Sequence, residues 1–178
     1  GVNTLKLRSR IRDLLKGKDQ LFLKDSTIKL ANLLNSKKIN NLIFLNYSSK
    51  LEKLLLWCQQ LIAESLGKKG KGFLPVVSSM PKDHHSLLQL YLDGPRDKLF
   101  HIFTVEEKSK EKINAKKIIK MKHFLDKKKL SSIKIAQKNA LVEVFKKKKI
   151  PYREFKIKKV NEEVLGKLFS LFILETII

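Results

Sequence analysis

Asn40-Asn41-Leu42-Ile43-Phe44-Leu45-Asn46-Tyr47, followed by Ser48-Ser49 and the run Lys50 to Leu66, is the stretch whose reading decides the fold. Four consecutive apolar residues bounded by asparagines suit a short strand buried on both faces, as in a parallel sheet. Lys50 to Leu66 then places Leu51, Leu54, Leu55, Leu61 and Ile62 on one side of a helix, and Gly67 offers that helix an inexpensive stop. Leu74 to Ser79, with Pro75 at its start, reads as a second strand. A strand, a helix and a second strand in that order form a parallel crossover unit.

Working outward, Asp25-Ser26-Thr27 supplies capping residue types for a helix whose Ile28, Ala31, Leu33 and Leu34 recur at helical spacing. Downstream, His85 to Leu92 reads as a helix closed by Asp93-Gly94-Pro95, and Leu99 to Val105 as a third strand. The charged stretch 108–129 supports no assignment. Leu130 to Lys149 reads as a helix, Tyr152 to Val160 as a strand, and Asn161 to Ile178 as a helix capped by Asn161. The alternation predicts an α/β fold, a three-layer αβα sandwich with a mostly parallel sheet, in one domain over 1–178. In such folds ligands bind beyond the carboxyl ends of the strands.

The chain has 178 residues, enough for a full core, and 43% of them are hydrophobic. Against 17 acidic residues stand 39 basic ones, a formal charge of +22. That balance alone suggests nucleic acid or an anionic membrane. The lysines, however, are spread over nearly every segment, at 16–18, 68–71, 127–129 and 146–149. No arginine-rich recognition helix, zinc-ligand spacing or RNP-like aromatic motif accompanies them. Solvated lysine written by a biased genome is the plainer reading, with no nucleic acid and no membrane as partners. The lone Cys58 forms no internal disulfide and sits beside Trp57 in an apolar helical run, as buried filler would. The longest apolar run, Leu168 to Ile178, is too short to span a bilayer, so a cytoplasmic protein is expected. Both ends look cut: the chain starts without methionine and stops inside an apolar helical pattern.

Two residues stand where chemistry is plausible. Glu64 ends the 50–66 helix, and His85 follows it 85 − 64 = 21 positions later, beside a turn. A carboxylate and an imidazole together can move protons on a small polar substrate. Taken singly, Glu64 is the ordinary exposed glutamate of a helix end, although an acid at that negative pole is mismatched. His84 and His85 are, by the same measure, ordinary loop histidines. Their adjacency points them apart and no third ligand has matching spacing, which argues against a metal. The Gly67-Lys68-Lys69-Gly70-Lys71-Gly72 loop lacks the spacing of a P-loop and follows a helix rather than a strand, leaving a flexible basic loop or a weak phosphate attractor.

Leu56-Trp57-Cys58-Gln59-Gln60-Leu61-Ile62-Ala63-Glu64-Ser65-Leu66-Gly67-Lys68, with Gly70-Lys71-Gly72 and His85-Ser86-Leu87-Leu88-Gln89-Leu90-Tyr91-Leu92-Asp93-Gly94-Pro95, resembles the bacterial phosphoglucose isomerases. Leu165 to Phe169 and Leu174-Glu175 resemble that family's penultimate region. The resemblance implies a chain of two sugar-isomerase (SIS) domains, each an α/β sandwich, of which this is most of the second. It implies that Glu64 moves the proton between C1 and C2 through a cis-enediol, and that His85 assists ring opening from the neighbouring subunit, hence a homodimer. Lys68 and Gln89 match the pattern as supporting, substrate-side residues. No cofactor is implied. The family's Gly-Gly-Arg segment, the Ser/Thr-rich phosphate loops of the first SIS domain, and the C-terminal glutamine and lysine fall outside this chain. His84 stands where glutamine is usual.

The expected activity is interconversion of glucose 6-phosphate and fructose 6-phosphate, a step of glycolysis and gluconeogenesis, by an intact protein and not by this piece alone. Acceptance of mannose 6-phosphate is a variant of that reading. A non-catalytic SIS module that binds sugar phosphates is the alternative from another class, and a basic nucleic-acid-binding domain is a third.

Overall fold

A computed structural model describes residues 1–106, 111–114, 117 and 124–178. The described helices are α1 (Thr4–Arg8), α2 (Ile11–Leu15), α3 (Gln20–Asn35), α4 (Glu52–Leu66, preceded by a single 3-10 turn), α5 (Lys82–Ser86), α6 (Leu88–Asp93), α7 (Leu130–Lys147) and α8 (Glu162–Ile177). The strands are β1 (Asn41–Asn46), β2 (Leu74–Ser79), β3 (Lys98–Val105) and β4 (Tyr152–Ile157). They form one sheet in the order β2-β1-β3-β4, with every neighbouring pair parallel. The expected three-layer sandwich is the fold observed.

Burial on both faces makes β1 a continuous apolar run. Leu42 and Phe44 face one core with Leu55, Cys58, Phe103, Phe155 and Phe172. Ile43 and Leu45 face the other with Tyr91, Phe100, Leu141 and Phe145. Helices α3, α4 and α8 therefore cover one side of the sheet, and α6 and α7 the other. Phe103 and Phe155 stack across β3 and β4 with centroids 4.4 Å apart. Each fully buried phenylalanine contributes about 1.5–3 kcal/mol relative to exposure.

One buried polar cluster ties the layers together. Arg153 on β4 donates to both carboxylate oxygens of Glu175 on α8, at 2.8 and 3.1 Å. Ser26 on α3 donates to that carboxylate and accepts from Arg153. The guanidinium also lies over the Phe155 ring, 4.6 Å from its centroid. With the Glu175 side chain only 4% exposed, breaking this pair would strand a buried charge.

Several expectations shift. The helix expected to start at Asp25-Ser26-Thr27 begins at Gln20, so these residues lie inside it. Ser26 and Thr27 are buried, and the Thr27 hydroxyl donates to the Leu23 carbonyl instead of capping. Leu23 is itself core, and its burial carries the helix a turn further upstream. The single helix expected over 85–92 is two short ones, broken at Leu87. The last strand stops at Ile157. Half of the stretch 108–129 lies outside the described residues. Asn161 does cap α8, its side chain accepting from the Val164 amide at 3.0 Å. Gly67 ends α4 without a left-handed backbone, at φ −76°. A Cβ there would stand 2.4 Å from the Ala63 carbonyl oxygen, so close approach is what requires glycine.

Sequence reading assigned nothing to 1–24. There α1 and α2 dock on α8, and Arg10 and Asp19 pair with Glu163 and Lys167 of that helix. The seat for α1 is Gly166, where an added Cβ would lie 1.7 Å from the Leu7 carbonyl oxygen. Gly166→Ala therefore must lift α1 off α8, although alanine is the better helix former. We expect a loss of about 1–3 kcal/mol in chemical denaturation; an unchanged or raised midpoint would show that α1 does not dock there.

Candidate functional site

The strand order reverses direction between β1 and β3: the connection from β1 runs to β2 on one side, and the chain then returns to β3 on the other. The carboxyl ends of β1 and β3 consequently bound the crevice where open α/β sheets take ligands. Tyr47, Thr104, Val105, Ser131, Lys134 and Ile135 line a small cavity there.

The loop that carries His85 sits beside this crevice and is built around Asp83. Its carboxylate accepts from the Ser79 amide at 2.7 Å, from the Ser78 hydroxyl at 2.9 Å and from the Ser86 hydroxyl at 3.4 Å. The Met80-Pro81 peptide bond is cis. His84 and Tyr47 are joined at 2.7 Å between Nε2 and the hydroxyl. Burial pushes the Tyr47 hydroxyl well above its ordinary range, so its proton stays on oxygen. Burial also lowers the His84 pKa and favours the neutral ring, whose tautomer decides which of the two groups donates. His85, next in sequence, is exposed, as is Gln89 on α6.

Glu64 lies elsewhere. Parallel pairing sets Asn41 opposite Leu74, so β1 and β2 start together, and α4 must run back from the end of β1 to the start of β2. Glu64, in the last turn of α4, is at the amino end of the sheet, exposed and accepting from Gln60 Nε2 at 3.0 Å. Lys68 is exposed just beyond it. The six residues of β2 separate the two ends by roughly 20 Å. Within one chain the structure thus groups Glu64 with Lys68, and His85 with Gln89, and brings neither pair to the other.

The residues that sequence reading missed are Asp83, Tyr47 and His101. Nothing in the spacing announces that Asp83 turns back onto Ser78 and Ser79, or that Tyr47 after β1 meets His84 after β2. His101 sits in the middle of β3 and reads only as one polar interruption of an apolar strand. It is 1% exposed, enclosed by the rings of Phe44, Phe155 and Phe172. Burial first, and then the nearby Arg153 charge, hold its pKa well below the ordinary histidine value. Cys58 is buried and its thiol is pushed up to about 12 by burial, reinforced by the charge of Glu175, which leaves it inert at neutral pH. Among the described residues no three His, Cys, Asp or Glu side chains gather as a metal site, and no helix is long and apolar enough to cross a membrane.

No protein-family model matches the chain. A probable glucose-6-phosphate isomerase of Methanococcus maripaludis is 34% identical over 136 residues, covering 76% of this chain and 30% of the relative. A glucose-6-phosphate isomerase of Mycoplasmopsis synoviae is 35% identical over 134 residues, covering 73% of this chain and 31% of the relative. The crystal structure of a hypothetical protein from Thermus thermophilus superposes with a TM-score of 0.79 at 22% identity, covering 99% of this chain and 44% of that one; at that identity it speaks for the fold alone. The chain is a doubly wound, all-parallel α/β domain. By sequence it belongs to the glucose-6-phosphate isomerase family, and it spans about 30% of the length of the curated relatives it matches.

Two neutral histidines, His101 buried and His84 partly buried, give the fold a pH signature. In the unfolded chain each takes a proton near the ordinary value of 6.5, whereas the folded protein holds both pKa values lower. Their stabilising contribution is therefore complete above 6.5 and is lost as pH falls below it, by at most about 1.4 kcal/mol per pH unit for each ring. Denaturation at pH 7.5, 6.0 and 5.0 should show that decline, and His101→Phe should reduce its slope. A slope that His101→Phe leaves unchanged would mean that the folded protein protonates this ring freely.

Proposed function

We propose that this chain is the part of a glucose-6-phosphate isomerase that supplies Glu64 and His85 to aldose–ketose isomerisation of glucose 6-phosphate and fructose 6-phosphate. The observation that carries the proposal is the pairing of the Glu64-bearing run Leu56 to Lys68 with the His85-bearing run to Pro95, in a chain whose relatives bear that name. Aldose and ketose differ by one hydrogen moved from C2 to C1 and a hydroxyl proton moved from O2 to O1, so the oxidation of one carbon balances the reduction of the other. In our reading Glu64 removes the proton from C2 of the open-chain aldose and, from the cis-enediol, returns it to C1. His85 serves the earlier step, passing a proton to the ring oxygen as the ring opens.

The separation of Glu64 from His85 supports a shared site. A glutamate at the amino end of one sheet meets a histidine from the carboxyl end of another only if two subunits contribute, which calls for a homodimer. Exposure of both side chains in the single chain fits the same arrangement, since each would be covered by the partner and by the rest of the longer polypeptide. Lys68 and Gln89 accompany Glu64 and His85 to that interface as supporting contacts. A cytoplasmic setting, and a place in glycolysis and gluconeogenesis, follow from the proposed substrate.

In the full-length protein, Glu64→Gln should lower kcat about 10²–10⁴-fold with KM nearly unchanged. His85→Ala should slow ring-closed substrate more than a substrate held open. Steady-state kinetics on both substrates check this. Near-normal turnover by Glu64→Gln would overturn the assignment of Glu64, whereas absence of turnover in the unmutated full-length protein would leave the sugar-phosphate-binding module as the better reading.

A further inference from the structure

Under α3, on the side of the sheet away from the His85 loop, lies a groove of about 970 Å³, within the size range of metabolite sites. Phe22 and Leu33 of α3 and Leu99 of β3 contribute apolar wall, Lys24 stands at the rim, and His101 and Arg153 are on the floor. Among the described residues, the buried side-chain polar atoms without a hydrogen-bond partner all lie just beneath that floor, covered from solvent: Nδ1 and Nε2 of His101 and Nε of Arg153. The two residues are neighbours across the β3–β4 ladder.

This is a costly arrangement for a purely structural core. Leaving buried donors and acceptors unpaired is destabilising, and a phenylalanine would fill the position between the Phe44 and Phe155 rings without any polar atom. Local rules broken at one place, with no structural compensation, mark sites kept for binding.

We propose that the groove under α3 binds a metabolite-size carboxylate with an apolar body, the body lying between Phe22 and Leu33 and the head group parting the side chains of the floor to accept from Arg153 Nε and His101. Glu175 occupies the two terminal nitrogens of the guanidinium and leaves its Nε edge for a second acceptor. The imidazole, held neutral by its burial, has one N–H to give. The charges favour an anion: Arg153 is matched by Glu175 and Lys29 by Asp25, at 2.8 Å, so Lys24 at the rim is the cation in excess. Mostly apolar walls exclude a bare inorganic ion as the best occupant. The site is separate from the proposed isomerase chemistry and does not depend on it.

Titration calorimetry of the full-length protein with octanoate, and with 1-octanol as the uncharged control, tests this. Octanoate should bind saturably, one per chain, about tenfold or more tighter than octanol, as a charge-assisted head group requires. His101→Phe should melt at a higher temperature and yet bind octanoate several-fold more weakly, a combination that a structural role for His101 would not produce. Leu33→Trp, which fills the groove, should lose both ligands. No saturable octanoate binding, octanol bound as tightly as octanoate, or unchanged binding by His101→Phe would each overturn the proposal.

Discussion

Parallel pairing of β1 with β2 is the constraint on which the rest of the molecule depends. Two parallel neighbours cannot be joined by a hairpin, so the chain must travel back along the sheet, and here α4 makes that journey. A glutamate at the end of α4 is thereby delivered to the amino end of the sheet, while the loop after β2 delivers a histidine to the other end. No rearrangement of side chains joins them, because the obstacle is the length of the strand itself. The proposal of a site shared by two subunits rests on this one topological fact.

The sheet tolerates burial on both sides because most of its side chains are apolar, and its exceptions are informative. Arg153 and Glu175 tie β4, α8 and α3 together through a fully engaged carboxylate, with Ser26 as the third member. Beside them, His101 is left with no partner for either ring nitrogen. The first arrangement compensates its desolvation and the second does not. That contrast within the same strand pair separates a structural polar cluster from a candidate binding floor.

Much of the fold was legible because single-residue chemistry decided it. Leu42 to Leu45 admits few readings other than a strand buried on both faces, and Asn161 caps α8 through its own side chain. What was not legible depends on residues distant in sequence. The start of α3 is set by Leu23 meeting the core rather than by the capping types at Asp25 to Thr27. Helix α1 exists because its backbone fits against Gly166, near the other end of the chain. The single helix expected over 85–92 breaks at Leu87, and no glycine or proline marks the break. At the site, Glu64 and His85 were found from a run of residue identities, whereas their placement at opposite ends emerged only from strand pairing. Tyr47 and His84 meet because β1 and β2 are adjacent, which no local pattern encodes.

The shared-site account is tested most directly on ring-closed substrate, by mixing two variants of the full-length protein that are impaired on it, Glu64→Gln and His85→Ala, and allowing their subunits to exchange. If Glu64 of one subunit works with His85 of the other, each mixed dimer contains one site with both native residues, and the mixture should regain about a quarter of wild-type activity. If the two residues served a site within one subunit, every site in every dimer would carry a lesion. The mixture would then stay as impaired as its components, and the shared site would be contradicted.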